Sequence, residues 1–249
     1  MTELDVAAVA TAAETELRAA GTPERAEHEK AYLKSSLEHA GVSLPVIRAL
    51  ANRIRRQHRD IDARTAFTIA GQLWTRPLHE RRMLAVILLE QYAEHMLPAD
   101  LLRIEPLLRD SHTWALVDGL AGDVAATIVL NHGSDPKVDA QLWQWGGDGD
   151  FWMRRSALLA HLKTLGRKGD FEGWARFCDL ADAMLDEREF FIRKAIGWVL
   201  REAGKQQPQA VAEFLGPRVS RVSGVAIREA VRYLDHATRD ALMTAYRDR

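Results

Sequence analysis

Three tryptophans with charged or apolar neighbours are the residues best suited to chemistry in this sequence. Trp114 and Asp118 stand four residues apart, so on a helix their side chains share one face. Trp152 and Arg155, three residues apart, share a face in the same way, and Trp198 lies in an apolar stretch. Indole faces attract cations, and a carboxylate stabilises developing positive charge. The pattern predicts a cleft for an electron-poor, positively charged ligand.

Each pair taken alone also fits ordinary packing, with a core tryptophan beside a solvated charge. Val117 and Leu120 can bury the opposite side of the first helix, which leaves Trp114 and Asp118 facing a cleft. Gly197 is harder to explain by packing, because a glycine inside a helix costs up to ~1 kcal/mol relative to alanine. We therefore expect another group to approach the backbone closely at this glycine.

The distribution of charge matters more than the formal net charge of −1. The first thirty residues are mainly acidic, whereas basic residues recur in four clusters further on. A single cluster is usually a solvated helix face, but four of them are compatible with a shared basic surface for a polyanion such as nucleic acid. The clusters are Arg48, Arg53, Arg55, Arg56 and Arg59; Arg154, Arg155, Lys163, Arg167 and Lys168; Arg188, Arg193, Lys194, Arg201 and Lys205; and Arg218, Arg221, Arg228 and Arg232.

Composition limits the other possibilities. The 249 residues are 47% hydrophobic, which supports a sizeable core, and the single Cys178 excludes an internal disulfide or a multi-cysteine metal site. We find no His-Glu-x-x-His motif and no phosphate-binding glycine loop, so no metal or cofactor is expected. The N-terminus lacks the pattern of a signal peptide, and we expect no membrane-spanning apolar run. These features predict a cytoplasmic protein that does not engage membranes, and we expect it to be a monomer.

Helical periodicity runs through nearly the whole chain, and no segment shows convincing strand alternation. The stretch from Leu78 to Met96 is apolar on more than one side, which indicates a buried helix. Ser43, Asp150 and Asp170 stand where helix caps are expected. Short turns between about a dozen helices favour stacked antiparallel hairpins. The sequence predicts an all-α fold, a curved solenoid of HEAT-like repeats that forms a single domain over residues 1–249.

The segment Glu189–Glu202, together with the Trp-x-x-x-Asp and Trp-x-x-Arg spacings above, resembles the AlkD family of bacterial DNA glycosylases, which excise alkylated purines. The resemblance covers most of the chain, from Tyr32-Leu-Lys34 through Leu73-Trp74 to Arg228-Glu-Ala230. The sequence departs from the family at Thr113, where a second aromatic is common, and in a longer acidic N-terminal segment. The resemblance implies a HEAT-like α-helical solenoid, in agreement with the periodicity.

The resemblance also assigns roles to individual residues. It implies that Trp114, Asp118 and Trp198 form the catalytic cleft and that Arg155 contacts the DNA backbone near the lesion. The further DNA-binding residues expected are Trp152, Tyr32, Lys34, Arg193 and Lys194. For Tyr32 and Lys34, a partly buried helix position is an equally good interpretation.

The function implied is hydrolysis of the N-glycosidic bond of N3-alkyladenine or N7-alkylguanine in double-stranded DNA, as a step of base excision repair. Such cationic bases leave without a general acid, which is consistent with the absence of a prominent histidine. Two alternatives stay open: a non-catalytic helical-repeat protein that binds DNA, and a protein-binding HEAT scaffold in which the basic clusters are incidental. The combination of Trp114, Asp118, Arg155 and Trp198 favours the enzyme.

Overall fold

Helices make up most of the chain in a computed structural model that describes residues 4–168 and 171–249. Within those residues the extended structure is an isolated bridge between Glu38 and Leu78. The prediction of an all-α fold is therefore confirmed. The chain divides into two compact units, Met1–Val124 and Ala125–Arg249. The prediction of a single domain over 1–249, like the curvature of the solenoid, stays a prediction.

The first unit is built from long helices joined by short turns and two single-turn 3₁₀ segments, Ala93–His95 and Pro98–Asp100. Its helices are α1 (Val6–Ala20), α2 (Pro23–Leu33), α3 (Leu44–Gln57), α4 (Ala63–Trp74), α5 (His79–Tyr92), α6 (Leu101–Arg109) and α7 (Trp114–Asp118). Local sequence sets several starts, because Asp5, Thr22 and Asp62 each accept a hydrogen bond from a first-turn backbone N–H. Ser43 stands at the N-cap of α3 as predicted, but its side chain makes no capping bond.

Helix α5 is the centre of the first unit. It packs against α4, α3, α1 and α7, and its apolar side chains from Leu84 to Leu89 are all buried. The predicted helix from Leu78 to Met96 is confirmed as α5 followed by the 3₁₀ turn Ala93–His95. Charged groups are buried at its first turn as well, since Glu80 is 0% exposed. A buried charge of this kind requires hydrogen-bond or ionic partners within the protein.

A continuous helical stretch, Trp114–His132, corrects one expectation from the sequence. It consists of α7, a π-helical segment (Gly119–Ala125) and α8 (Ala126–His132). With a mean hydropathy of 1.3 over its best window it is long and apolar enough to cross a membrane, so the expectation of no such run was wrong. However, 61% of that window is buried inside the protein, and the core helix of a soluble protein passes the same test.

The second unit is also helical, and α13 is at its centre, packed against α15, α10, α14 and α11. Its later helices are α9 (Pro136–Gly146), α10 (Phe151–Leu159), α11 (Leu162–Leu165), α12 (Trp174–Met184), α13 (Phe190–Gly204), α14 (Pro208–Leu215), α15 (Gly224–Ala230) and α16 (His236–Arg247). Asp150 caps α10 as predicted by accepting the N–H of Trp152. The other predicted cap, Asp170, lies outside the described residues, and α12 begins after Gly173, whose φ is 80°.

Candidate catalytic and DNA-binding residues

Helix α7 turns one face into the core and leaves the other partly open. Val117, and Leu120 in the π-helical segment that follows, are 0% exposed, whereas Trp114 and Asp118 are half-buried. This is the division that the spacing predicted. Thr113 is the N-cap of α7, and its side chain is buried. The indole and the carboxylate thus sit one helical turn apart on the same accessible face.

Tyr32 lies against this face from the end of α2. Its ring meets the indole of Trp114 edge-on, with centroids 5.7 Å apart at an angle of 83°. The Tyr32 side chain is 65% exposed, so it is not the partly buried position that the sequence left open. Lys34 is also exposed and ends α2 in the left-handed conformation, with φ 49°. Both side chains are accessible to a ligand, and their contact with DNA stays a prediction.

An anchor that sequence reasoning missed holds the turn before α7. The guanidinium of Arg82 donates to the carboxylate of Asp110 at 2.8 Å and to its backbone carbonyl at 2.5 Å. The indole N–H of Trp74 donates to the same carboxylate at 3.1 Å, and the Arg82 cation lies 5.1 Å from the Trp74 ring centroid. Burial lowers the pKa of Arg82, and the nearby Asp110 charge offsets part of that effect. Of these three residues, only Trp74 was indicated by the sequence, as part of the family resemblance.

In the second unit, Arg155 is buried rather than exposed, at 1% of its accessible surface. Its guanidinium donates to the backbone carbonyl of Phe191 at 2.5 Å and lies 5.7 Å from the centroid of that ring. The indole of Trp152 packs on the same phenylalanine, with centroids 4.9 Å apart. In the free protein these groups brace the start of α13 against α10. The predicted contact of Arg155 with the DNA backbone stays a prediction.

Phe191 belongs to an aromatic cluster that also includes Phe151, Trp152 and Phe190. Phe190 is 51% exposed, so the cluster reaches the surface at the N-terminus of α13. Phe190 and Phe191 lie within Glu189–Glu202, the segment that carries the family resemblance, but the sequence assigned them no role. An exposed aromatic side chain beside half-buried ones is typical of surfaces that receive a ligand.

Trp198 is half-buried on α13, and the neighbouring Gly197 has a packing explanation. A Cβ atom at Gly197 would lie 2.9 Å from both the Cα and the carbonyl oxygen of Ala226, on the backbone of α15. The expected close approach is therefore confirmed, and the approaching group is a neighbouring helix. This glycine lets α13 and α15 pack closely, and so fixes the backbone that carries Trp198.

Many predicted DNA-binding cations have partners within the protein. Arg193 is half-buried and donates to the backbone carbonyl of Glu187 at 2.7 Å, while Lys194 is exposed. Carboxylates pair with several other members of the basic clusters, namely Arg48, Arg53, Arg154, Arg201, Lys205, Arg218 and Arg221. The hydrogen bonds that Arg154 donates to the carboxylate of Glu187 raise the pKa of Arg154. These pairs stabilise the helix surface, so binding to phosphate would require some of them to exchange partners.

Burial keeps two other titratable groups of the second unit, Cys178 and His161, in their neutral forms at physiological pH. Burial raises the pKa of the free Cys178 thiol to about 12, in line with the inert thiol that its apolar surroundings indicate. His161 is 0% exposed, and its burial, together with the adjacent Arg176, lowers its pKa to about 3. Its Nδ1 lies 2.9 Å from the carbonyl of Ala157, and its Nε2 accepts a hydrogen bond from Arg176. This histidine therefore stays neutral at physiological pH.

The fold is shared with solved structures of related helical-repeat proteins. A structure named "Predicted DNA alkylation repair enzyme from Enterococcus faecalis" superposes with a TM-score of 0.73 at 24% identity, over 87% of this chain and 97% of that one. AlkD2 from Streptococcus mutans gives a TM-score of 0.58 at 16% identity, over 74% and 88% of the two chains. The protein smu.31 from Streptococcus mutans UA159 gives 0.57 at 16% identity, over 74% and 91%. At these identities the likeness defines the class of fold.

The sequence places the chain within that class. Residues 13–234 match the model of a family described as "DNA alkylation repair enzyme", and the chain belongs to this family. No functionally curated protein matches it significantly. The family description supports an enzymatic role in DNA alkylation repair with DNA as the substrate, and the resemblance noted from the sequence is confirmed.

Proposed function

We propose that the protein is a monofunctional DNA glycosylase that hydrolyses the N-glycosidic bond of cationic alkylated purines, N3-alkyladenine and N7-alkylguanine. It would act on double-stranded DNA as a cytoplasmic monomer in base excision repair. The observation that carries the proposal is the accessible face of α7, on which Trp114 and Asp118 lie one turn apart above a wholly buried core face. Membership of a DNA alkylation repair family supports DNA as the substrate.

The chemistry requires stabilisation of positive charge more than protonation. An alkylated purine already carries a positive charge, so when its bond to C1′ breaks, the electron pair leaves with the base and neutralises it. The sugar becomes an oxocarbenium-like cation, which water attacks at C1′ with loss of a proton. In the proposed mechanism the Asp118 carboxylate stabilises this cation and positions the water. No general acid is needed for such a base, which suits a site built from indoles and a carboxylate.

The size of the expected effect follows from Coulomb's law. A carboxylate at about 4 Å from a full positive charge contributes on the order of 4 kcal/mol at an effective dielectric constant of about 20. That corresponds to roughly a thousandfold in rate, because each 1.36 kcal/mol changes a rate tenfold. Because Asp118 is half-buried, solvent screens part of this interaction, and we expect a loss of about a hundred- to a thousandfold on its removal.

The aromatic residues have a complementary role in the proposal. The indole faces of Trp114 and Trp198 attract the cationic sugar and base, each with ~0.5–2 kcal/mol when the cation is desolvated. Tyr32 holds the Trp114 ring from its edge and so limits the orientations available to it. In the proposed site these rings select for positive charge, while Asp118 acts on the reacting sugar.

The test is release of free base from randomly methylated DNA, with the products identified and single-turnover rates measured. The wild-type protein should release N3-methyladenine or N7-methylguanine, and Asp118→Asn should retain the fold and much of the DNA affinity while losing most of the rate. Asp179→Asn is the matched control, because Asp179 is an exposed carboxylate on α12. An Asp118→Asn variant as fast as the control would remove Asp118 from the mechanism.

Base release, together with DNA binding measured at several salt concentrations, separates the alternatives. A wild-type protein that binds DNA but releases no base would be a non-catalytic DNA-binding helical-repeat protein. One that shows no salt-dependent DNA binding would instead be a protein-binding scaffold. Both results would overturn the proposed glycosylase activity.

A further inference from the structure

Three potential metal ligands meet at the end of α2 in the first unit. Glu29 lies on α2, His39 lies in the segment between α2 and α3, and Glu80 lies in the first turn of α5. One ligand atom from each of these side chains lies within 4.8 Å of the other two. The three residues are far apart in the sequence, so no sequence motif indicated that they would meet.

His39 is the most informative of the three because its polar atoms are unsatisfied. Both ring nitrogens are buried, and neither has a hydrogen-bond partner among the described residues. The ring stacks on His79 with centroids 4.6 Å apart, which fixes its plane. Buried polar atoms in folded proteins nearly always have partners, and an exception indicates a water or ion that occupies the site. An imidazole nitrogen between two carboxylates is a suitable ligand for a divalent metal.

Glu80 is held in place before any ion binds. Its carboxylate is fully buried and accepts the backbone N–H groups of Ala40 at 2.9 Å, Gly41 at 2.7 Å and Val42 at 3.2 Å. A carboxylate offers about four lone-pair positions, so one stays available for a metal. These bonds position Glu80 in the manner of the outer-shell partners that orient metal ligands in established sites.

Glu29 is the adjustable member of the group. One of its oxygens pairs with Arg25 at 2.5 Å, and its side chain is 21% exposed. The second oxygen is available to an ion while that pair is kept. Ligands of a tetrahedral zinc ion, each at about 2.0–2.1 Å from the metal, lie roughly 3.4 Å apart. The ligand atoms lie within 4.8 Å of one another, so a rotation of the Glu29 side chain need close a gap of at most about 1.4 Å.

We propose that Glu29, His39 and Glu80 bind one divalent first-row metal ion, with Zn²⁺ the best match. Two carboxylates and a neutral imidazole balance a charge of +2, and this mixture of nitrogen and oxygen ligands suits Zn²⁺ better than Mg²⁺, which prefers oxygen alone. Three protein ligands leave one tetrahedral position for water. The ion would also provide a partner for one of the two unsatisfied ring nitrogens of His39.

The metal would have a consequence for the candidate catalytic face. Glu29 precedes Tyr32 by three residues on α2, so the two lie close together on that helix. An ion shared with Glu80 would fasten the end of α2 to the start of α5. It would thereby stabilise the position of Tyr32 against Trp114. The site itself does not depend on the proposed glycosylase activity, because its test is a binding measurement.

The experiment is titration of the metal-free, tag-free full-length protein with Zn²⁺ by calorimetry, and with Mg²⁺ in a parallel arm. We expect one Zn²⁺ per chain, little binding of Mg²⁺, and a higher Tm with Zn²⁺. His39→Asn and Glu29→Gln should each weaken Zn²⁺ binding at least about tenfold. Glu80 is left unchanged, because its three backbone hydrogen bonds make it structurally necessary.

Two neighbours on the same helix provide matched controls. His28→Asn and Glu27→Gln remove an exposed imidazole and an exposed carboxylate from α2, and both should bind Zn²⁺ like the wild type. The nitrogen resonances of the His39 side chain should shift on addition of one equivalent of Zn²⁺. Absence of stoichiometric binding by the wild type, or equal binding by His39→Asn and His28→Asn, would overturn the proposal.

Discussion

Gly197→Ala tests how tightly α13 and α15 must pack around the candidate site. In isolation the change should stabilise a helix, because alanine is favoured over glycine by up to ~1 kcal/mol in a helix interior. In this protein the new methyl group would lie 2.9 Å from the Cα and the carbonyl oxygen of Ala226 and 3.1 Å from the Cβ of Glu229. Two of these atoms belong to the backbone, so no side-chain rotation can relieve the contact.

The expected magnitude follows from those distances. Non-bonded carbon atoms are most stable at about 3.5–4.0 Å, so α15 must move away by roughly 0.5–1 Å. Overpacking of this kind typically costs about 1–3 kcal/mol. After subtraction of the full helix-propensity gain of ~1 kcal/mol, the net loss in the free energy of unfolding is up to about 2 kcal/mol. For a protein of this size the Tm should fall by up to roughly 8 °C.

The assay compares Gly197→Ala with Gly71→Ala by urea and thermal denaturation. Gly71 lies inside α4, and a Cβ atom there would meet nothing within 4 Å, so the same substitution should raise stability. Gly204→Ala is a second control on α13 itself, where the nearest contacts are 3.8–3.9 Å away. We therefore expect the same glycine-to-alanine change to lower the free energy of unfolding at Gly197 and to raise it at Gly71.

A stabilised Gly197→Ala protein would refute the packing argument, because it would mean that the two helices separate without cost. In that case the interpretation of Gly197 as a packing residue would be wrong. If the variant is destabilised as expected, base release should fall as well, since Trp198 follows Gly197 directly on α13, next to the contact that the new methyl group disturbs. The two measurements together would separate stability from activity.

Three further predictions concern salt, lesion charge and pH. If about five phosphates are neutralised, DNA affinity should fall by roughly two to three decades between ~50 and ~200 mM salt, and a flat response would contradict a phosphate-dominated surface. Oligonucleotides with N7-methylguanine should lose their base, whereas hypoxanthine and uracil should stay, because a neutral base leaves poorly without protonation; comparable excision of all three would count against selection by charge. The folded-state pKa of His161 lies near 3, below its ordinary value, so the unfolded chain takes up a proton first as pH falls. Its contribution to stability is therefore complete above about pH 6.5 and should be lost by about 1.4 kcal/mol per pH unit below it. Unfolding free energies of the wild type and His161→Asn at pH 6.5 and 5 should show a loss about 2 kcal/mol smaller in the variant, and parallel losses would exclude this histidine as the cause.

The sequence alone determined the features that local interactions encode. Helical periodicity identified the all-α fold, and the four-residue spacing of Trp114 and Asp118 placed both on one face of α7, with the neighbouring Val117 and Leu120 buried. Asp150 was identified as a cap because a cap needs only its own first turn. The motif around Glu189–Glu202 identified the family for the same reason, since it is a contiguous stretch of side chains.

The tertiary structure decided which groups meet across long separations in the sequence. The burial of Arg155 against the carbonyl of Phe191 depends on the packing of α10 on α13, which no periodicity reveals. The sequence predicted a close contact at Gly197, but only the structure identifies the approaching backbone as that of α15. These contacts depend on how helices distant in the sequence are brought together.

The same reason explains why the anchor and the proposed metal site were not predicted. Asp110 meets Arg82 and Trp74 only when α7 packs beside α5. His39 similarly faces two carboxylates from different helices, and its own sequence neighbourhood contains no spacing typical of a metal site. Side-chain spacing along one helix is fixed by its 3.6-residue period, whereas the meeting of separate helices is fixed by burial of the whole core.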